Sequence, residues 1–244
     1  VADPREAFSV SDYASECKAA IAEVAGRGRV PLLVGGTGFY LKALMHGLSL
    51  GHTPGDESLR ARLAACAETE AGKLALHERL RAVDPSTAAR LHPNDVRRVV
   101  RALEVYELTG KPFSEQRCES PPDSPYQFLL LGVELPRDVL YRRIDARVEA
   151  MLAQGLLAEV RALLDAGVPA DAQAMQGLGY KELIPVLAGA PLGTATLAIQ
   201  QGTRHYAKRQ LTWFRAEKSI RWLDLLRPAD ALRQAQTACE IFLK

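Results

Sequence analysis

A threonine hydroxyl follows two glycines at a point where a strand is predicted to meet a helix. The apolar run 30–34 predicts a strand buried on both faces, and Gly35, Gly36 and Thr37 come directly after it. The apolar residues that follow Gly38 predict a packed helix. Open α/β folds bind ligands at the carboxyl edge of the sheet, and the first N–H groups of a helix attract anions. The same pattern is also typical of an ordinary strand-to-helix turn, because a lone Gly-Gly-Thr is a weak signal.

Positive charge is concentrated on one predicted helix, residues 194–218. The formal net charge is only +2, yet residues 204–221 contain six basic residues and a single acid, Glu217. Helical spacing puts these cations in two neighbouring rows, which could follow the phosphates of a polyanion. A solvated helix face is the alternative. One row is Arg204, Lys208 and Arg215, and the other is His205 and Arg209.

A second cluster of positive charge follows a predicted helix cap at Asn94 or Asp95. Arginine presents a planar fork that suits phosphates and base edges, so this cluster is a second candidate for binding nucleic acid. Ion pairing with Glu104 or Glu107 is the alternative. The three residues are Arg97, Arg98 and Arg101.

Two further features could contact a ligand. Arg143 and Arg147 share a helix face at i, i+4 and could clamp a diphosphate, but they could equally be solvated beside Asp145 and Glu149. A Gly-rich turn leads into the next helix and could approach a ligand closely, although by itself it favours an ordinary turn. Its residues are Gln176, Gly177, Leu178, Gly179, Tyr180 and Lys181.

The predicted elements place a block of helices between strands. Residues 57–109 show only helical patterns, whereas 126–133 predicts a second buried strand and 220–224 a final edge strand. The other predicted helices are one capped by Ser9 or Ser11 and ending near Gly26, a long one over 138–167, a short one over 180–187, and a closing one from Asp230. We therefore predict an α/β core, residues 1–53 and 124–244, with an all-helical insertion subdomain, residues 54–123.

Composition excludes several classes of protein. The chain is 48% apolar and 25% charged, which is ordinary for a globular protein, and it contains neither a membrane-length apolar run nor a secretory leader. Cys17, Cys66, Cys118 and Cys239 lie far apart, so reduced thiols are expected rather than a disulfide framework or a zinc site. We expect a cytoplasmic protein that is not bound to membranes.

Three familiar catalytic motifs are absent from the sequence. The patterns G-x-x-x-x-G-K-[ST], H-E-x-x-H and G-x-S-x-G do not occur.

Taken together, these motifs resemble the bacterial tRNA dimethylallyltransferase family, the tRNA isopentenyltransferases. The matching residues occur in family order across nearly the whole chain. They are Asp3-Pro4, Leu33 to Tyr40, Asp84-Pro85, His92 to Asp95, Arg98, Arg101 to Glu104, Arg143-Ile144, Arg147, Gly179-Tyr180, Lys208 to Gln210, and Trp213 to Arg215.

The resemblance implies a P-loop NTPase-like core with a parallel sheet, a helical insertion and a channel between them. Enzymes of this family move a dimethylallyl group from its diphosphate to N6 of the adenosine 3′ of the anticodon, after the base is flipped out of its stack. The family's phosphate loop, its Mg²⁺ site and its general-base aspartate would precede residue 1. We therefore expect that this N-terminal part is missing and that the chain as written is inactive in transfer.

The resemblance also implies roles for individual residues. Thr37 would sit beside the reacting amine, Arg60 would contact the tRNA near the target base, and Arg147, with Arg143, would belong to the lid over the diphosphate. Gly35 and Gly36 form the turn. The tRNA-facing residues would be Arg97, Arg98, Arg101, Gln176 to Lys181, Lys208, Arg209 and Arg215.

Two other functions are compatible with the sequence. A relative that prenylates a free adenine nucleotide, as in cytokinin synthesis, would not need the insertion or the basic helix. A non-catalytic RNA-binding protein would be consistent with the absence of the phosphate loop. The expected partners of the prenyltransferase are tRNA and dimethylallyl diphosphate, and the expected state is a monomer.

Overall fold

The computed structural model describes residues 1–45, 55–116 and 124–244, which fold as two compact units. Unit 1 is Val1–Lys42 with Tyr126–Lys244, and unit 2 is Ala43–Pro125. The expected domain boundaries at residues 53 and 123 fall outside the described residues, as do Cys118 and the histidines His46 and His52.

The described elements are mostly helices. They are α1 (Val10–Gly26), α2 (Gly38–Met45), α3 (Glu57–Ala65), α4 (Glu70–Val83), α5 (Pro85–Ala88), α6 (Val96–Thr109), β1 (Leu131–Glu134), α7 (Arg137–Ala153), α8 (Leu156–Asp165), α9 (Ile184–Leu187), α10 (Leu192–Arg215), β2 (Arg221–Asp224) and α11 (Pro228–Phe242), with 3₁₀ turns at Phe113–Gln116 and Gln173–Gln176.

In the part of the chain that the structure describes, the sheet consists of β1 and β2 in parallel, with Leu131 opposite Arg221 and Glu134 opposite Asp224. This confirms the final strand and shortens the strand predicted over 126–133 to four residues. The prediction that this strand is buried is wrong, because the Leu131 and Val133 side chains are 37% and 58% exposed. A strand becomes buried on both faces only where other elements cover both faces of its sheet.

The strand predicted over residues 30–34 is not found. These residues have no ladder partner among the described residues, and the side chains of Val30, Leu32 and Val34 are 60%, 86% and 89% exposed. The helix predicted after Gly38 does form as α2, although Phe39 is also half exposed. An apolar run predicts a buried strand only when the chain supplies neighbouring strands for its backbone groups.

Helix ends follow the local signals more closely. Ser9 caps α1 by accepting hydrogen bonds from the backbone N–H groups of Ser11 and Asp12. The long helix predicted over 138–167 is instead two helices, α7 and α8, because Gly155 adopts a left-handed conformation (φ 104°) between them. The helix predicted over 180–187 begins only at Ile184. Proline is tolerated in the first turn of a helix but not in its interior, so Pro185 fits only near the start of this helix.

Each unit has its own apolar core. In unit 1, Val148, Val160, Met175, Leu183 and Ile199 bring α7, α8 and α10 together. In unit 2, the helices α3, α4 and α6 pack through buried leucines and valines, among them Leu63, Leu80, Val99 and Leu103. No helix among the described residues is long and apolar enough to cross a membrane.

Asp84 is a buried acid that joins two segments of unit 2. It is 1% exposed, and its carboxylate accepts hydrogen bonds from the backbone N–H of Thr87 (2.9 Å), at the start of α5, and of Ser114 (2.8 Å). Burial raises the pKa of Asp84, but these hydrogen bonds to Thr87 and Ser114 outweigh burial and lower the pKa below its ordinary value.

We predict that Asp84→Ala lowers the free energy of unfolding by about 2–4 kcal/mol, because the buried N–H of Thr87 and the half-buried N–H of Ser114 lose their acceptor. A carboxylate with a lowered pKa stabilises the folded state above its unfolded pKa, near pH 4, and loses this effect as the pH falls through its folded pKa. Urea unfolding should therefore show a large difference from wild type at pH 7 that shrinks towards pH 3. The exposed Glu68→Ala is the control, and equal stabilities of the two variants at pH 7 would contradict the assignment.

Candidate functional site

The glycine turn predicted to do chemistry lies against the basic helix α10. The side-chain amide of Gln210 donates a hydrogen bond to the backbone carbonyl of Gly36 (2.8 Å). Gly38 lies against the Trp213 ring so closely that a Cβ there would be 2.6 Å from Cζ3 and still nearer to two other ring atoms. The turn and α10 are therefore joined by one hydrogen bond and one steric contact across about 170 residues of sequence.

Thr37 stands at the entrance of α2. Its backbone carbonyl accepts from the N–H groups of Tyr40 (3.0 Å) and Leu41 (3.3 Å), and its side chain is exposed. Within the described residues the Thr37 hydroxyl makes no hydrogen bond, so it is available to a ligand. The helix behind it is anchored by Tyr40, whose ring stacks on Tyr13 of α1 with centroids 4.3 Å apart.

The cations of α10 differ in how they are used. Arg204 makes two hydrogen bonds to the Asp145 carboxylate of α7 and lies over the Tyr141 ring, 5.5 Å from its centroid. The interpretation of Arg204 as part of a free cationic row is therefore wrong, because α7 supplies a partner that lies far away in sequence. Arg215 is weakly paired, at 3.7 Å from Glu134 of β1.

Lys208 and Arg209 keep their charge available. Both side chains are exposed, and neither has an acidic partner among the described residues. Arg209 instead lies over the Tyr206 ring, 5.7 Å from its centroid. Lys208 and Arg209, directly before Gln210, are thus exposed cations of α10 without an acidic partner in the described part of the chain.

Arg143 and Arg147 are exposed on α7 without an acidic partner in the described part of the chain. Their exposure is equally what the alternative of solvated side chains beside Asp145 and Glu149 predicts, and the Asp145 carboxylate itself binds Arg204. Arg142, their neighbour, pairs with Asp138 at 3.1 Å. The two arginines are consequently free to bind an anion, and their assignment to a diphosphate stays a prediction.

The turn 176–181 is held mainly by hydrogen bonds to residues on either side of it in the chain. Gln176 donates to the Ala170 carbonyl (3.0 Å), and the Gly179 N–H donates to Glu182 (2.8 Å) with Gly179 at φ 99°. The Tyr180 hydroxyl donates to Glu159, and this hydrogen bond together with burial raises the pKa of Tyr180 to about 12.

Part of the same turn touches α10. Leu178 lies so close to Gly202 that a Cβ on that glycine would be 2.7 Å from the leucine Cδ2. The exposed residues left for a ligand are Gln176, Gly177, Leu178 and Lys181. These contacts support the ordinary turn, and binding of tRNA here stays a prediction.

In unit 2 the predicted tRNA-contacting arginines surround a buried acid, Glu104 of α6. Arg60 Nε lies 2.8 Å from Glu104 Oε1, and Arg101 Nη1 donates to Oε2 at 2.6 Å. Burial raises the pKa of Glu104, but hydrogen bonds from Arg101, the Asp56 N–H and Arg60 outweigh burial and lower it. The alternative of ion pairing with Glu104 is therefore confirmed for Arg101.

The other arginines of α6 point to the surface. Asp95 occupies the N-cap position without a side-chain capping hydrogen bond and instead pairs with Arg98 at 2.8 Å. Arg97 is exposed and has no acidic partner among the described residues. The i, i+3 spacing of Arg101 and Glu104 indicated their ion pair, but it did not indicate that Glu104 is buried.

Metal binding finds no support among the described residues, which contain no cluster of three or more histidine, cysteine, aspartate or glutamate side chains. Cys17, Cys66 and Cys239 are free thiols, as expected.

Comparison with known proteins gives a consistent result. A model of the IPP transferase family matches residues 1–217. The tRNA dimethylallyltransferase of Geobacillus thermodenitrificans is 47% identical over 229 residues, 93% of this chain and 72% of that protein. The crystal structure of the tRNA isopentenylpyrophosphate transferase from Bacillus halodurans aligns with a TM-score of 0.64 at 39% identity, over 98% of this chain and 77% of that one. A eukaryotic dimethylallyltransferase acting on tRNA aligns with a TM-score of 0.72 at 29% identity, over 92% of this chain and 58% of that one.

We predict that Gly38→Ala destabilises the protein by about 1–3 kcal/mol, because the new methyl group overlaps the Trp213 ring. Gly35→Ala is the matched control, since a Cβ at Gly35 meets nothing within 4 Å. Thermal unfolding of both variants compares the two glycines of the same turn. Equal melting temperatures would show that Gly38 does not need to be a glycine for the contact with Trp213.

Proposed function

Because the chain belongs to the IPP transferase family, we propose that the intact protein containing residues 1–244 modifies tRNA by transferring a dimethylallyl group to N6 of the adenosine 3′ of the anticodon. The observation that carries this proposal within the structure is the exposed Thr37 hydroxyl, which has no partner among the described residues and lies in a turn fixed on α10. Residues 1–42 and 126–244 would then be part of a P-loop NTPase-like core.

The transfer is a substitution at carbon. The N6 nitrogen attacks C1 of the dimethylallyl group, the C1–O bond breaks, the diphosphate leaves with the electron pair, and N6 loses a proton. We propose that the Thr37 hydroxyl accepts a hydrogen bond from the N6 amine and orients its lone pair towards C1. The group that takes the proton is not assigned among residues 1–244.

The anionic parts of both substrates need positive charge. We propose that Arg143 and Arg147 contact the diphosphate, and that Lys208 and Arg209 contact tRNA phosphates beside the Thr37 turn. Arg215, Arg97 and the exposed residues of 176–181 would extend the tRNA surface.

The sequence 1–244 contains no phosphate-loop pattern, and we propose that residues 1–244 alone bind tRNA without transferring the group. The Mg²⁺ requirement, the cytoplasmic location and the monomeric state stay predictions.

The acceptor decides between the proposed function and its nearest alternative. Intact protein should transfer label from dimethylallyl diphosphate to tRNA, and nucleoside analysis should find the label in one modified adenosine. Adenosine monophosphate at the same concentration should accept none. Labelled nucleotide without labelled tRNA would favour the cytokinin-type reaction, and tRNA binding without any transfer would favour a non-catalytic RNA-binding protein.

We predict that Thr37→Ala in the intact protein lowers kcat at least about tenfold, because an oriented hydrogen bond to the reacting amine is lost. The KM for tRNA should change less than about twofold, since the cations of α10 are unaffected. Thr37→Ser keeps the hydroxyl and should retain most of the activity. Steady-state kinetics with tRNA as the varied substrate measure both constants, and an unchanged kcat in the alanine variant would exclude this role of Thr37.

A further inference from the structure

The Glu104 carboxylate organises three donors from two segments of unit 2. Its side chain is fully buried, at 0% exposure. Oε1 accepts from Arg60 Nε and from the backbone N–H of Asp56, each at 2.8 Å, and Oε2 accepts from Arg101 Nη1 at 2.6 Å. A buried carboxylate is tolerated only with such partners, so removing the charge affects both arginines together.

Arg60 is held on its inner side and open on its outer side. The bond to Glu104 uses Nε, close to the stem of the side chain, while 41% of the side chain remains exposed. Its other acidic neighbour, Glu57, is 3.8 Å away and is itself 94% exposed, so it restrains Arg60 little. The guanidinium therefore has a fixed base and an accessible face.

Gly55 packs against the same guanidinium. A Cβ at Gly55 would lie 2.6 Å from Arg60 Cζ and closer still to Nη2. The backbone of Gly55 is not left-handed, so a side chain at position 55 would disturb the contact with Arg60 without straining the backbone. Since the overlapping atoms are the end of a flexible side chain, Gly55→Ala would move the guanidinium of Arg60 and leave every charge in place.

We propose that Glu104 and Gly55 are positioning residues that fix the Arg60 guanidinium for a bidentate contact with a phosphate of the acceptor tRNA. This inference rests on the proposed function. An arginine fork binds phosphate through geometry as well as charge, and an arginine that is already fixed loses less conformational entropy when it binds. Arg97, on the same helix as Glu104, is another exposed cation of unit 2.

The first experiment uses Gly55→Ala in the intact protein, with Gly26→Ala as the control glycine because a Cβ there meets nothing within 4 Å. The KM for tRNA should rise about tenfold, as expected for a lost hydrogen bond to a charged group. The kcat, the KM for dimethylallyl diphosphate and the melting temperature should stay near wild type. A wild-type protein that does not modify tRNA would refute the proposed function itself, and this inference with it.

The second experiment asks whether Gly55 acts through Arg60. Arg60→Ala should raise the KM for tRNA, and adding Gly55→Ala to it should cause no further rise. Equal effects of Gly55→Ala with and without Arg60 would overturn the inference, as would an unchanged KM in either single variant. Glu104→Gln should raise the same KM. If that variant does not fold, the Gly55→Ala and Arg60→Ala variants and their combination still test the inference.

Discussion

The hydrogen bond from the Gln210 amide to the Gly36 carbonyl, with Gly38 against Trp213, is the contact on which the candidate site of unit 1 depends. Without it, Thr37 would be an exposed residue on an unpaired segment. With it, the hydroxyl is fixed relative to α10 and to the two cations that directly precede Gln210. The glycines matter because side chains at positions 36 and 38 would occupy the space of the glutamine amide and the indole ring.

In unit 2 a candidate binding residue, Arg60, is fixed by an ion pair instead of by close packing. An exposed arginine samples many rotamers, and fixing one costs conformational entropy. The buried Glu104 carboxylate binds Arg60, Arg101 and the start of α3 in one cluster. Arg60 is therefore already ordered in the folded protein before any ligand binds. In both units a residue assigned to substrate binding is exposed at its tip and fixed at its base.

Local signals in the sequence predicted much of this structure. Capping by Ser9, the helices of unit 2 and the strand before α11 follow from spacing and turn residues. Burial was less predictable, because residues 30–34 look like a core strand but are exposed when no neighbouring strand covers them. Ion pairs were the least predictable part. Arg204, for example, binds Asp145, which lies 59 residues away in the sequence. Only the fold shows which charges are neutralised and which remain for a ligand.

A crystal structure of the intact protein with tRNA and a non-reactive dimethylallyl diphosphate analogue would show directly whether Thr37 contacts the reacting amine. We expect the adenosine 3′ of the anticodon to be flipped out, with its N6 amine about 3 Å from the Thr37 hydroxyl and the Gln210–Gly36 hydrogen bond intact. An adenosine that remains stacked in the anticodon loop, or an N6 amine held by other residues with Thr37 facing solvent, would contradict it.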